Sequence, residues 1–241
     1  PNPAGRHFLE SARVMLRELD DTLLELRTLT AGAAARLSVG IFEGDGAVTD
    51  CLTDYAREHP EVELELHCSI ETEENLDINR YDMPLYPDDS RYGKFRGVAL
   101  REEPYLLAVP AGHPLADRAA VPPRELEGMP FVFLSRGRYL EEPYYLCAGL
   151  NLHLKAVCFT DSREQHRQMV ASGVALGFVA GGCAGSYRED GRVRLIPVTS
   201  DKFCRRMMVC LKRRKQLSPA GLACQDYVLD YFGLAPQRER T

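Results

Sequence analysis

The sequence predicts an α/β protein: two Rossmann-like lobes behind a long N-terminal helix. Three observations carry this. From residue 36 onward, short apolar runs of strand character alternate with amphipathic helical stretches, the order expected of βαβ units and a parallel sheet. The alternation runs through twice, with no Ser/Gly-rich linker and no repeat of fixed period between the two passes. Before it, residues 7–29 carry apolar side chains at Phe8, Ala12, Met15, Leu16, Leu19, Leu23 and Leu26. Steps of three and four form the seam of a helix that packs on another helix.

The elements follow in order. The opening helix ends in "TAGAAA", with Gly32 as its stop. "RLSVGIF" alternates as a strand and runs into the turn "EGDG". "AVTDCLTDYAREHP" is an amphipathic helix stopped by Pro60, and "VELELHCSI" is the next strand. "ETEENLDINR" is a short helix with acids in its first turn, where the helix dipole favours them. "DMPLY" and "EEPYLLAVPAGHPLA" are strands, the second closing in a Pro/Gly turn. "FVFLSRG" is a strand, "LEEPYYLCAGL" a helix starting beyond its proline, and "LHLKAVCFTD" a strand that includes His153. "SREQHRQMVASG" is a helix ended by Gly173, followed by the buried strand "VALGFVAGG". "RVRLIPV" and "RRMMVCLKR" are strands, and "SPAGLACQDYVLDYFG" is a helix with Ser218 as N-cap and Pro219 at its first position.

Composition narrows the function. The net charge is −5 and the pI about 5.8, which argues against a grip on phosphate backbones by this chain alone. The longest basic run, Lys212 to Lys215, reads as a solvated strand end. Apolar runs fall short of the roughly 20 residues that cross a bilayer. Eight cysteines sit mostly in apolar stretches without CxxC spacing, so they read as free, largely buried thiols of a reducing cytoplasm. A redox pair such as Cys204 with Cys210 stays open as a second reading. No metal-ligand spacing, GxSxG, HExxH or P-loop occurs, and Gly44 and Gly46 make only an incomplete dinucleotide motif. No metal, cofactor or catalytic residue is therefore assigned. His113 reads as a turn residue, and His166 as solvated on a helix face beside Arg163, Glu164 and Arg167. Tyr144 and Tyr145 read as packing residues before pocket lining.

Ligands of open α/β sheets bind beyond the carboxyl ends of strands, where helix N-termini point inward. That rule selects Phe42, Glu43, Gly44, Asp45 and Gly46; Ser69, Ile70, Glu71 and Thr72; Leu85 and Tyr86; Ser135, Arg136, Arg138 and Tyr139; and Thr160, Asp161 and Ser162. Phe178 and Val179 end another strand and offer an apolar wall.

The same residues resemble the effector-binding part of LysR-type transcriptional regulators over nearly the whole chain. "PNPAGRHFLESARVMLREL" is similar to the family's passage into its linker helix, and "YAREHPEVELEL" to "F-x-x-x-x-P-x-V-x-L". "LDINRYDMPL" resembles "L-x-x-G-x-x-D-x-x-I", "VPAGHPLA" resembles "P-x-x-HPLA", and "MVASGVALGFVAGG" resembles "V-x-x-G-x-G-I-x-x-x-P". "KRRKQLSPAGLACQDYV" is similar to the closing "R-x-x-L-S-x-x-A…F". Asn79 stands where the family has Gly, and Val179–Ala180 where it has Leu-Pro. The resemblance implies a fold like that of type 2 periplasmic binding proteins. Residues 1–32 would be a linker and dimerisation helix, 36–109 plus 210–235 lobe one, and 110–209 lobe two. It further implies a cytoplasmic sensor of a small-molecule effector with no enzymatic task of its own. Phe8, Met15, Leu19, Leu23 and Leu26 would pair with a second copy in a homodimer or homotetramer. DNA would be contacted only through a winged helix-turn-helix domain ahead of Pro1. A periplasmic solute-binding protein is the alternative reading, and a doubly wound enzyme the third.

Relatives in this family bind small carboxylates at the two lobe-one helix starts. Here those starts hold Glu43, Asp45, Glu71 and Glu73, while lobe two offers Arg136 and Arg138. Two like unit charges ~4 Å apart cost ~4 kcal/mol at an effective dielectric near 20. The expected effector is therefore neutral, cationic or zwitterionic, with any carboxylate facing the arginines.

Overall fold

The computed structural model describes residues 35–42, 46–68, 81–88, 97–136, 139–140, 142–211 and 217–235, together with Asn2, Gly5, Phe8, Ser11, Ala12, Met15, Leu19 and Thr22. Its strands are β1 (Ala35–Ile41), β2 (Val62–His67), β3 (Met83–Pro87), β4 (Val98–Pro110), β5 (Pro130–Arg136), β6 (Tyr139–Leu140), β7 (Lys155–Thr160), β8 (Gly177–Ala180), β9 (Val193–Pro197) and β10 (Cys204–Val209). The α-helices are α1 (Gly46–Glu58), α2 (Glu142–Gly149), α3 (Arg163–Ala171), α4 (Gly185–Glu189) and α5 (Pro219–Tyr231), with 3-10 turns at Pro123–Leu126 and Gly181–Cys183.

One sheet runs β2-β1-β3-β10-β4-β8, with β9 also on β4; a second runs β6-β5-β7. β1 lies parallel to β2 and β3, and β10 antiparallel to β3 and β4. β4 changes partners along its length. Val98 to Pro104 pair with β10, while Tyr105 to Pro110 pair with β8 and β9. The smaller sheet is stitched to the larger at Leu176, whose N–H donates to Pro130 and whose carbonyl accepts from Val132.

The strand period of two sorts β1 cleanly. Leu37, Val39 and Ile41 are buried against α1 and α5, while Gly40 takes the other face under the Tyr81 ring. A Cβ at Gly40 would stand 2.6 Å from Tyr81 Cδ2, so only glycine fits there. On α1, Val48, Cys51, Leu52 and Tyr55 are buried at helical spacing, facing Cys224, Val228 and Leu229 of α5. A second core collects Tyr105, Leu107, Phe131, Phe133, Phe178, Ile196 and Phe203. Ala108, Val132, Val170, Val179 and Tyr187 fill a third.

The predicted helix ends at Ser218 and Gly173 hold, whereas Gly32 lies outside the described residues. Ser218 accepts from the Gly221 N–H at 3.1 Å with Pro219 behind it, and Gly173 takes φ +80° just past α3. α2 starts at Glu142, not beyond Pro143, because a proline's missing N–H costs nothing in a first turn. His153 precedes β7 instead of lying on it. Its N–H donates to Glu127, which ends the preceding turn, and pairing with β5 begins only at Lys155. The expected helix at 71–80 and the basic run at 212–215 lie outside the described residues. In the N-terminal segment Gly5, Phe8, Ser11, Ala12, Met15, Leu19 and Thr22 are helical. Phe8, Met15 and Leu19 are 69%, 62% and 54% exposed in the single chain. Leu23 and Leu26 lie outside the described residues.

Candidate functional site

β1 and β3 end side by side. The Phe42 N–H donates to the Leu85 carbonyl at 2.8 Å, and the Phe42 ring meets Tyr81 edge-on at 5.7 Å. Phe42, Tyr81 and Tyr86 form a small aromatic cluster with Met208 and Cys210 against it. Burial, with Cys210 and Asp88 adding to it, pushes the Tyr86 phenol up to about 12. This hydroxyl is therefore a neutral donor at any physiological pH. Beyond Phe42 the chain enters α1, and Gly46 sits at that start. A Cβ on Gly46 would stand 2.6 Å from the Gly182 carbonyl oxygen. The beginning of α1 and the Gly181–Cys183 turn, 135 residues apart from Gly46 to Gly181, thus face each other in backbone contact.

The other predicted residues divide into three groups. Glu43, Gly44, Asp45, Ser69, Ile70 and Arg138 lie outside the described residues, as do Glu71 and Glu73. Ser135 is partly buried on β5 opposite Leu140, and the Arg136 backbone opposite Tyr139. Thr160 closes β7 and spends its hydroxyl locally: it donates to Gln165 Oε1 at 2.7 Å and accepts from the Ser162 N–H at 3.1 Å. Asp161 beside it is exposed. Phe178 and Val179, the expected apolar wall, are both core residues. As neighbours on β8 they point to opposite faces. Phe178 stacks on Phe131 at 4.9 Å and packs on Phe203 at 5.2 Å, and Val179 joins Tyr187 and Val170.

Two buried polar groups were missed from the sequence. The first joins strands that sequence order holds far apart. Glu103 of β4 pairs with Arg205 of β10 at 2.5 Å and with Arg101 at 2.6 Å, and accepts from the Gly182 N–H. Glu103 and Arg205 side chains are 1% and 0% exposed. The signal was present: "REEP" and "CRRM" place opposite charges on two otherwise apolar strands, and the antiparallel register sets Arg205 opposite Glu103. The second corrects the reading of His166 as solvated. Its side chain is fully buried, with Nδ1 2.7 Å from the Tyr187 hydroxyl, which donates to the Arg163 carbonyl. Burial first, then the Arg163 charge, pushes its pKa down to about 4. α3 is rotated so that Glu164 faces solvent while Arg167 is mostly covered, paired to Glu164 and Asp190, and the imidazole lies on the bare backbone of Gly177. His113 keeps its turn role, its Nδ1 accepting from the Leu115 N–H. Tyr144 packs on Phe133 at 5.2 Å, whereas Tyr145 is 53% exposed.

All eight cysteines are free thiols, but only Cys51, Cys147 and Cys224 are buried; Cys68 is exposed and the other four are intermediate. Burial pushes each of the three buried thiols up to about 12. The Cys204–Cys210 pair fails on geometry: six residues of extended chain span roughly 20 Å, and a disulfide needs Cα atoms within about 7 Å. Among the described residues no group of three His, Cys, Asp or Glu is placed to hold a metal, and no helix is long and apolar enough to cross a membrane.

A mixed α/β fold in which β4 passes from one set of strand partners to another frames this site, and comparison with known proteins places that fold. Residues 30–233 match the LysR substrate binding domain, and the chain belongs to that family. The "Uncharacterized HTH-type transcriptional regulator YnfL" of Escherichia coli (strain K12) is 31% identical over 142 residues, covering 54% of this chain and 46% of that protein. This chain therefore spans about half of YnfL. The regulatory domain of Synechocystis PCC6803 CcmR in complex with 2-PG superposes with TM-score 0.70 at 16% identity, covering 83% of this chain and 98% of that one. Full-length CbnR complexed with target DNA gives TM-score 0.72 at 17% identity, over 95% and 82% of the two chains. The chain is thus a substrate-binding domain of the kind found in transcriptional regulators, which sets the solute-binding alternative aside.

Proposed function

We propose that this chain is the effector sensor of a LysR-type regulator, taking a small molecule between two lobes and carrying no enzymatic activity. The observation that carries the reading is the meeting of the α1 start with the Gly181–Cys183 turn where β4 passes from one core to the other. An effector seated between them stabilises one arrangement over another by its differential affinity for the two. Lobe one is residues 36–109 with 210–235, and lobe two is 110–209. Phe42 and Tyr86, with Glu43, Gly44, Asp45, Ser69 and Ile70, line the first side; Ser135, Arg136, Arg138, Thr160 and Asp161 line the second. Residues 1–32 dimerise, and a preceding helix-turn-helix contacts DNA in the cytoplasm.

Acids at the lobe-one helix starts favour a neutral, cationic or zwitterionic effector. The test is a thermal-shift screen over small carboxylates, amines and amino acids, repeated on Glu43→Gln and Asp45→Asn. An amine or amino acid should raise the melting temperature most, and the substitutions should change that preference. A plain dicarboxylate as tightest ligand, indifferent to both substitutions, would refute the charge assignment.

A further inference from the structure

We propose that Glu103 is a positioning residue for effector sensing, holding the Gly181–Cys183 turn against the start of α1 as a latch across the cleft. The inference rests on the sensing function above and deepens it. Glu103 lies two residues before Tyr105, where β4 exchanges its partner β10 for β8. Its carboxylate serves three donors. Arg205 Nε at 2.5 Å and Arg101 Nη2 at 2.6 Å tie it to the crossing strands, and the Gly182 N–H reaches it from the turn after β8. Arg205 also donates from Nη2 to Cys183 Sγ at 3.5 Å, so the pair grips the turn at two successive residues. On its far side the turn presents the Gly182 oxygen to Gly46, so close that a side chain at position 46 would collide with it.

An ion pair serving stability alone needs only β4 and β10. The third hydrogen bond goes to a turn whose outer contact is the helix start, and that contact is backbone against backbone. Glycine at 46 lets the turn close against the helix start. A ligand seated at the α1 start would lie beside Gly182. It must keep the turn in place or lift it away, and its preference between those two states sets the population of each. Glu103, buried beneath the turn, determines how firmly the turn is held.

Cys183 reports on the latch, because it is half-buried in the turn beside Arg205. The native chain is treated with iodoacetamide, and each cysteine peptide is followed by mass spectrometry. Exposed Cys68 serves as the rate reference, and buried Cys51, Cys147 and Cys224 reveal any loss of fold. Glu103→Gln keeps the side-chain shape and removes the charge; Gly46→Ala wedges the contact and removes nothing. Each should speed Cys183 alkylation by about fivefold or more, the equivalent of a modest shift in a local equilibrium. Cys68 should be unchanged and the buried three unlabelled. An unchanged Cys183 rate in Gly46→Ala overturns the latch, and an unchanged rate in folded Glu103→Gln overturns the role of Glu103. If Glu103→Gln exposes the buried thiols, Gly46→Ala decides alone. A ligand screen that finds nothing would count against sensing and leave the labelling result standing.

Discussion

At the scale of single residues, two buried polar groups control stability in different ways. Glu103 neutralises Arg205 in a site closed to water. Removing one partner of such a pair leaves a buried charge uncompensated, at a cost of about 3–5 kcal/mol. Glu103→Ala should therefore lower the urea midpoint by an amount equivalent to that loss, without changing the slope of the transition. His166 acts through pH. Its folded pKa of about 4 lies below the ordinary 6.5, so between these values the unfolded chain binds the proton and the folded chain does not. Stability from this group is full above pH 6.5 and is lost as pH falls through the window to about 4. Linkage gives a loss of about 2 kcal/mol between pH 7 and pH 5. Urea titrations at the two pH values should show it, and His166→Gln should remove most of that difference.

At the scale of elements, local signals and tertiary packing divide the work. Ser218 caps α5 as its position before Pro219 predicts. Ser218→Ala should cost about 1 kcal/mol, read as a fall in thermal midpoint with an unchanged far-UV spectrum. Gly173 ends α3 in the left-handed region, again legible from its place after a helical run. α3 itself shows where local signals stop. Its "REQHRQ" stretch is polar almost throughout, and nothing in it distinguishes His166 from Arg163 or Arg167. The buried side was chosen by Gly177, whose bare backbone admits the imidazole ring, and by Tyr187, whose hydroxyl lies 2.7 Å from Nδ1. β8 shows the same limit. Gly177–Ala180 are all buried, covered on both faces of the strand, but the local sequence does not say which residues cover each face. Phe178 and Val179, read as a wall from the sequence, each pack into a core on one face of β8.

At the scale of the molecule, the exposed row Phe8, Met15 and Leu19 asks for a partner. Burying an apolar side chain is worth about 1.5–3 kcal/mol, which supports the proposed pairing of this row with a second copy. Sedimentation at micromolar concentration should show a dimer or larger, and Met15→Glu with Leu19→Glu should shift it toward monomer. β4 contributes Leu100 to the first core, Tyr105 and Leu107 to the second and Ala108 to the third, so any movement of its β10-paired part against its β8- and β9-paired part bends β4 near Glu103. That is where the charges sit.

The sequence by itself determined most of the strands and helices, the Ser218 cap, the Gly173 stop and the family. Each of these is written in residues close together along the chain, through period, capping and turn chemistry. The tertiary structure alone decided that Gly46 touches Gly182, that Glu103 meets Arg205, and that His166 is buried on Gly177. Each of those contacts joins segments that sequence order leaves apart. Their energies depend on desolvation and steric fit, which exist only once the strands have crossed and water has been excluded.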